Sequence, residues 1–365
     1  MKTKNLYLAV MFIGIISWSC NRTNDLATSA NSESLKTSID KGVQNLTSAV
    51  NTITASPGYQ VFTGANNLTT KSAIISPLDT ITHNILLSDI AGIYQYKAKT
   101  VKKGRFSVMH FFSKTGESSQ MIVSLPEEKV KNPMKLLWYA PADTLLKNDY
   151  VISVSDYLVK FNLFRNYDYQ MASSIKIKDV NAGALKIQTA YGKNLSYHYA
   201  SQFDFPNGYT TKCFYASGDT AVSSYSINQG AKTLYEEKYT AIKNKVNFKP
   251  REMEYSLKIG NVLIERKLGF GKASLDSAKV YVGGVLQLKS KVEIVDTATD
   301  TTDPSVTCKK RELKITFDDG TSSTFSQLAG AVIDDINSLF TSMRQVNFAT
   351  QIVDWIAWDI YTKKN

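Results

Sequence analysis

From about residue 84 to 320, apolar and polar residues alternate with period two, and turn residues break the alternation at short intervals. Only an extended strand sends successive side chains to opposite faces, so this stretch is restricted to half-buried sheet. Tyr157, Val159, Phe161 and Leu163 give one such strand. Tyr197, Tyr199, Phe203 and Phe205 run through Pro206-Asn207-Gly208 into Tyr209, Thr211, Cys213 and Tyr215, a hairpin with an aromatic face. Met253, Tyr255, Leu257 and Ile259 turn at Gly260-Asn261 into Val262-Leu263-Ile264. Val280-Tyr281-Val282 turns at Gly283-Gly284 into Val285-Leu286-Gln287-Leu288, and Leu313, Ile315 and Phe317 run into Asp318-Asp319-Gly320. Strands joined by tight turns are antiparallel, because a parallel pair needs a long crossover. One apolar face per strand predicts sheets covered on one side only.

Helical spacing flanks this region. Leu35, Ile39, Val43, Leu46, Val50 and Ile53 mark one helix face, with Ser32 or Ser34 to cap its start and Ser56-Pro57-Gly58 to stop it. The face predicts either a helix packed on the domain or a short oligomerising coiled coil. Phe325, Leu328, Val332, Ile336, Leu339 and Met343 mark a second helix, and Phe348 to Tyr361 a third. The predicted fold is mainly β: antiparallel meander or sandwich-like sheets, an N-terminal amphipathic helix, and C-terminal helices packed on the sheet. A sheet domain over 57–245 is followed by hairpins and helices over 246–365. The join is placed near Lys245–Arg251, where a proline and several charges interrupt the strand pattern; the two parts are also readable as one continuous domain.

The N-terminus adds a second constraint. Lys2 and Lys4 precede an apolar stretch from Leu6 to Trp18, which at about 1.5 Å per residue is too short for a bilayer core of about 30 Å. Ser17-Trp18-Ser19-Cys20 and a polar segment from Asn21 follow. This resembles a bacterial lipoprotein signal. The resemblance implies removal of residues 1–19 and lipidation of Cys20; the polar stretch that follows reads as a flexible tether over 20–31, and the helical spacing as an amphipathic helix over 32–56. The serine before the cysteine fits the pattern, while Ser17 and Trp18 depart from its usual residues. Acyl chains on Cys20 would hold the protein on a membrane, since each buried CH₂ contributes about 0.8 kcal/mol. Cys213 and Cys308 would then remain as an even pair, readable as a disulfide or as two separate thiols.

Composition excludes several classes. The 365 residues are 43% hydrophobic, too apolar for a disordered chain. Three cysteines and three histidines leave no recognisable metal spacing, so neither a metal nor an organic cofactor is expected. There is no nucleophile elbow, phosphate loop or dinucleotide fingerprint. The doublets Glu127-Glu128, Asp318-Asp319 and Asp334-Asp335 make poor acid–base pairs, because adjacent strand residues face opposite ways. No catalytic residue is therefore assigned. The net charge of +11 is almost all lysine, with seven arginines, which argues against specific nucleic-acid recognition and fits attraction to anionic envelope polymers. The loop from Asp296 to Asp303 has the oxygen donors of a calcium site without the spacing of one, and reads as solvated.

Asp followed by Ser or Thr and a small or aliphatic residue recurs at residues 79, 143, 219, 276, 296 and 300, against about two expected from composition. The triplets resemble the O-glycosylation acceptor of exported Bacteroidota proteins, with Thr80, Thr144, Thr220, Ser277, Thr297 and Thr301 as acceptors. Together with the signal, they make the chain similar to Bacteroidota-type outer-membrane lipoproteins. That resemblance implies an outer-membrane location, on the periplasmic face or the cell surface. The expected role is non-catalytic binding or structure, contacting envelope polysaccharide, lipid or a partner protein. The alternatives are a lipid or lipoprotein carrier and a hydrolase of envelope polymers.

Overall fold

A computed structural model describes residues 34–63, 83–97, 108–131, 144–162, 166–192, 196–243, 250–269, 276–297, 310–343 and 347–364. The signal, Cys20, the tether, Cys308, Thr80 and Thr301 lie outside the described residues.

Two helices come first, α1 (Leu35–Thr54) and α2 (Pro57–Thr63). Short elements follow: β1 (His83–Leu86), α3 (Leu87–Ile90), β2 (Gly92–Tyr96), a 3₁₀ turn (Val108–His110), β3 (Phe112–Gly116), β4 (Met121–Leu125) and α4 (Glu127–Lys131). Then come the long strands β5 (Tyr150–Asn162), β6 (Asn166–Ile177), β7 (Val180–Tyr191), β8 (Tyr197–Asp204) and β9 (Tyr209–Ser217). They are followed by β10 (Thr220–Gln229), β11 (Lys232–Lys243), β12 (Pro250–Ile259), β13 (Val262–Gly269), β14 (Asp276–Val282) and β15 (Val285–Leu286). The chain ends with β16 (Lys291–Thr297), β17 (Lys310–Thr316), β18 (Ser322–Thr324), α5 (Phe325–Met343) and α6 (Asn347–Lys364). The fold is mainly β, with 54% of the described residues in strands, in antiparallel meanders with helices near both ends.

The described residues fall into two compact units: 52–218 with 339–364, and 34–51 with 219–338. In the first, the strands run in the order β9-β8-β7-β6-β5-β4-β2-β3, with β1 also pairing β5. Neighbours are antiparallel except β2 and β4, which pair in parallel. β3 lies between those two in the chain and pairs with β2 at the sheet edge, so it supplies the connection a parallel pair needs. The second unit holds the meander β10 to β15 and a separate three-stranded sheet, β16-β17-β18. Of the interruption expected over 245–251, residues 245–249 lie outside the described residues, while Pro250 and Arg251 belong to β12. The strands on either side of it, β11 and β12, pair antiparallel along their length.

Turn chemistry sets the registers. Gly283 and Gly284 have φ of +58° and +86°, which a two-residue hairpin of mirror-image type requires at both positions. The β6–β7 turn meets the same demand with Lys178 and Asp179, at φ +51° and +64°, and so carries no glycine signal in the sequence. Two further hairpins turn through three residues. Phe205 N–H bonds the Tyr209 carbonyl at 2.8 Å, and Phe317 N–H that of Thr321 at 2.8 Å.

The helix faces follow the sequence spacing, with two corrections. Ser34 caps α1 by accepting from Thr37 N–H at 3.2 Å, and Leu35, Ile39, Leu46, Val50 and Ile53 are buried. Val43 is only half-buried; Gly42 takes its place on the inner face, where a Cβ would stand 2.9 Å from the Ile259 side chain. α1 is thus packed on its own sheet, not left open as a coiled-coil seam. Pro57-Gly58 does not end the helical region but opens α2, as proline at a first helical position allows. Gly58 lets that helix close on β7: an added Cβ would lie 2.3 Å from the Ala182 carbonyl oxygen. At the other end of the chain, α5 buries Val332, Ile336 and Leu339, and α6 buries Ile352, Val353, Ile356 and Ala357.

Candidate functional site

Strand alternation places Tyr235, Glu237 and Tyr239 of β11 on one face of the second unit's meander. Antiparallel register sets Tyr255 of β12 opposite Tyr239, and Tyr225 of β10 opposite Glu237. Three hydroxyls converge on the Glu237 carboxylate. Tyr235 donates to Oε2 at 3.2 Å, and Tyr239 and Tyr255 each donate to Oε1 at 3.2 Å. The rings of Tyr239 and Tyr255 lie 4.8 Å apart, inclined by 50°. Arg266 of β13 stands opposite Tyr255, on the same face.

The cluster grades from core to solvent. Tyr235, Leu257 and Ile259 are buried, Tyr225, Tyr255 and Arg266 are half-buried, and Tyr239 is 44% exposed. Burial, and then the neighbouring Glu237 charge, push the Tyr239 hydroxyl up to about 12. The same causes raise Tyr235 and Tyr255 further. All three therefore stay protonated donors at neutral pH. Because their hydroxyls are tied to one carboxylate, the rings are held in fixed orientations at the edge of the covered surface. Glu236, Glu254 and Glu265 sit on the opposite face by alternation, and Glu254 is paired with Lys267. Glu237 thus works without a second acid from its strand neighbours. The pair of carboxylates about 5 to 9.5 Å apart that glycoside hydrolysis uses is not formed by Glu237 with these three glutamates.

The first unit contains a second carboxylate held by tyrosines. Asp354 of α6 accepts from the Tyr157 hydroxyl at 2.9 Å. Tyr169 also stabilises its ionised form, and Tyr167 lies close enough to feel its charge. The residue keeps some exposed surface, yet its carboxyl group is enclosed between helix and sheet. Enclosure pushes Asp354 up to about 7, against the downward pull of the Tyr157 and Tyr169 hydroxyls. One turn and two turns further along α6, Trp358 and Tyr361 pack edge-on to His83, whose ring stacks on Phe161 at 4.7 Å. Asp359 accepts from Met109 N–H at 3.0 Å. These contacts fasten α6 to its sheet.

The residues singled out from sequence are dispersed. His110 is exposed in the 3₁₀ turn, and His198 meets Phe214 edge-on at 5.0 Å. Asp204 lies with Gln202, Thr210 and Lys186 rather than with His198. Glu127 is paired with Lys178 at 2.6 Å. Asp319 accepts from Thr321 N–H and its hydroxyl, which lowers its carboxyl and completes the turn. Asp334 and Asp335 are exposed on α5. Cys213 is buried on β9, while Cys308, with which it could pair, lies outside the described residues. Of the acceptor triplets, Thr144 and Thr220 are exposed, Ser277 is on β14, and Thr297 ends β16. Among the described residues, no three His, Cys, Asp or Glu side chains gather as a metal site.

Glu237 and Asp354 were not singled out in the sequence. The spacing Tyr235-x-Glu237-x-Tyr239 carried the signal for one, and an acid inside the apolar run Ile352-Val353-Asp354-Trp355-Ile356 carried it for the other. No family model matches the chain, and neither the curated proteins nor the solved structures contain a match to it.

Proposed function

We propose that the chain is an envelope lipoprotein, held on the outer membrane through Cys20, whose role is non-catalytic binding of envelope polysaccharide. The observation that carries the ligand class is the Glu237 cluster. Tyr239 and Tyr255 offer flat apolar ring faces next to solvent, and such rings match the apolar face of a pyranose. Glu237 and Arg266 stand beside those rings and complement sugar hydroxyls, as an acceptor and a donor respectively. The chain's net charge of +11 adds long-range attraction to anionic polymers. The anchor rests on the lipoprotein-like N-terminal pattern.

The ligand is tested by electrophoresis through gels containing purified envelope polysaccharides. Retardation of the native chain, lost in Tyr239→Ala and in Glu237→Ala while circular dichroism stays native, supports the reading. Native mobility in every polysaccharide gel, together with silence on an array of envelope glycans, removes it. The anchor is tested separately by intact mass. Protein from its native membrane should weigh residues 20–365 plus acyl chains, with added glycan increments if the acceptor triplets are used.

A further inference from the structure

We infer that the outer face of the first unit's sheet carries a second sugar site, where Gln188 and His198 hold the hydroxyls of an uncharged glycan beside the Phe214 ring. Strand alternation puts Tyr169, Met171, Leu185 and Phe203 on the covered face, where all four are buried. Gln188, Ala190, His198, Ala200 and Phe214 lie on the other face, with the exposed side chains of Lys160, Lys186 and Lys212. Register sets Gln188 opposite Ala200 and Ala190 opposite His198. The amide and the imidazole are thus diagonal neighbours, about 7–8 Å apart at the backbone, with alanines at the other two corners. Phe214 stands opposite Ala200 on β9 and packs edge-on to the His198 ring at 5.0 Å.

Two polar atoms in this block have no hydrogen-bond partner. Gln188 is 2% exposed although it belongs to the outer face, and its Oε1 is buried and unpartnered. The buried Nδ1 of His198 is unpartnered as well. The polar side chains around them are satisfied by one another. Gln170 donates to Asp156, while Asp204 accepts from Gln202 at 2.7 Å and from Thr210 at 2.9 Å. Native folds rarely leave a buried acceptor unpaired, so two of them side by side on an outer face mark a place that another molecule completes.

The two atoms select a hydroxyl. Gln188 Oε1 only accepts. Burial lowers the His198 pKa, so the ring is neutral at pH 7, and Nδ1 accepts or donates according to tautomer. An anion brings no proton for Gln188, and an ammonium cannot accept from Nδ1–H, whereas a hydroxyl serves both atoms. The local charge agrees. Among the described residues in the positions around Gln188, only Lys186 and Asp168 are charged, and each faces an opposite charge: Asp204 at 3.4 Å from Lys186, and Lys160 across the strand pair from Asp168. A pyranose answers these demands with neighbouring hydroxyls for the amide and the imidazole, and with a C–H face for Phe214 and the two alanines. Lys186, 52% exposed, swings aside to admit it.

This inference deepens the polysaccharide reading, on which its ligand class rests in part, but it uses none of the residues around Glu237. The test therefore silences that face. Full-length chain carrying Cys20→Ser and Glu237→Ala is titrated with uncharged hexasaccharides of glucose, mannose and galactose, and the ring-nitrogen shifts of its three histidines are followed by NMR. The His198 nitrogens, assigned by their absence from a His198→Phe chain, should move with at least one sugar, while those of His83 and His110 stay in place. Adding Gln188→Leu, or the unbranched Gln188→Met, removes an unpaired buried acceptor and should leave the fold at least as stable. The dissociation constant read from the His198 shift should then rise about tenfold. His198 nitrogens that no sugar moves, or an affinity unchanged by both Gln188 substitutions, would overturn the inference and leave these atoms to water alone. Neither outcome bears on the Glu237 face, which the polysaccharide gels decide.

Discussion

In the first unit, Asp354 meets the hydroxyls of Tyr157 and Tyr169 beneath α6; in the second, Glu237 meets those of Tyr235, Tyr239 and Tyr255 on a face that opens to solvent. The chemistry is the same, a carboxylate accepting from phenols. The surroundings differ. Asp354 is enclosed by a helix, so burial overrides its hydrogen bonds and raises it to about 7. Tyr239 keeps 44% of its surface in water, and the rings beside Glu237 remain accessible. Enclosure makes the first cluster a fastening whose strength depends on pH. Openness leaves the second free to receive a ligand.

The largest expected effect separates the two by titration. A carboxyl whose folded pKa lies above its unfolded value stabilises the fold most below the unfolded value. That contribution is lost as pH rises through the folded one. For Asp354 the window runs from about 4 to 7, and the full loss is at most about 4 kcal/mol by the unit conversion of 1.36 kcal/mol per pKa unit. Asp354→Asn should therefore flatten the fall in urea midpoint between pH 5 and pH 8, and should be the more stable protein at pH 8. Parallel pH profiles for the native and changed chains would show that the carboxyl is not enclosed.

Next in size is the partner hydroxyl. The Tyr157 bond favours ionised Asp354, so Tyr157→Phe should lift the Asp354 titration above 7. The cost should be about 1.5–3 kcal/mol at pH 8, where the bond goes to a charge, and about 0.5–1.5 kcal/mol at pH 5, where it goes to a neutral acid. Urea unfolding at the two pH values reads this difference. An equal cost at both would place the hydroxyl's partner elsewhere.

How far such sites can be read from sequence depends on what fixes them. Period two assigns Tyr235, Glu237 and Tyr239 to one face with no structural knowledge, and Gly260-Asn261 and Gly283-Gly284 fix two of the registers around them. The pairing of Tyr239 with Tyr255 is harder, because it depends on β11–β12 register across residues 244–249, where no tight-turn motif sets the count. Asp354 is less legible still. Its partners are almost two hundred residues away, and the step that matters, docking of α6 on β5 and β6, leaves no local mark beyond an acid in an apolar helix. The Lys178-Asp179 turn and the parallel β2–β4 pair were hidden for a related reason: the residues involved carry no preference for the conformation that packing imposes.

The third effect is smaller for stability and larger for binding. Glu237→Gln keeps one acceptor oxygen for the Tyr239 and Tyr255 hydroxyls, turns the Tyr235 contact into one in which the amide donates to the hydroxyl oxygen, and removes a charge near solvent. It should change unfolding free energy by less than about 1 kcal/mol. If the site binds polysaccharide as proposed, retardation in the polysaccharide gel should still weaken, because one acceptor of ligand hydroxyls has lost its charge. A loss of stability as large as that from Tyr157→Phe would mean that the open cluster is a second fastening and not a binding face.

The smallest effect tests whether Glu237 and Tyr239 are coupled at all. Burial is the first cause of the raised Tyr239 hydroxyl and the Glu237 charge the second, followed by their hydrogen bond. In Glu237→Gln the charge disappears and the burial stays. The Tyr239 titration, followed by the chemical shifts of its ring, should then fall below about 12 while remaining above the ordinary phenol value of about 10. A titration that does not move would uncouple the pair and leave Tyr239 a half-buried ring with no oriented hydroxyl. A fall all the way to the ordinary value would make the charge the sole cause, and would mean that the ring is far more open than its 44% exposure indicates. Only the intermediate outcome fits a ring that is both tethered to the sheet and available to a ligand, which is what separates Glu237 from Asp354.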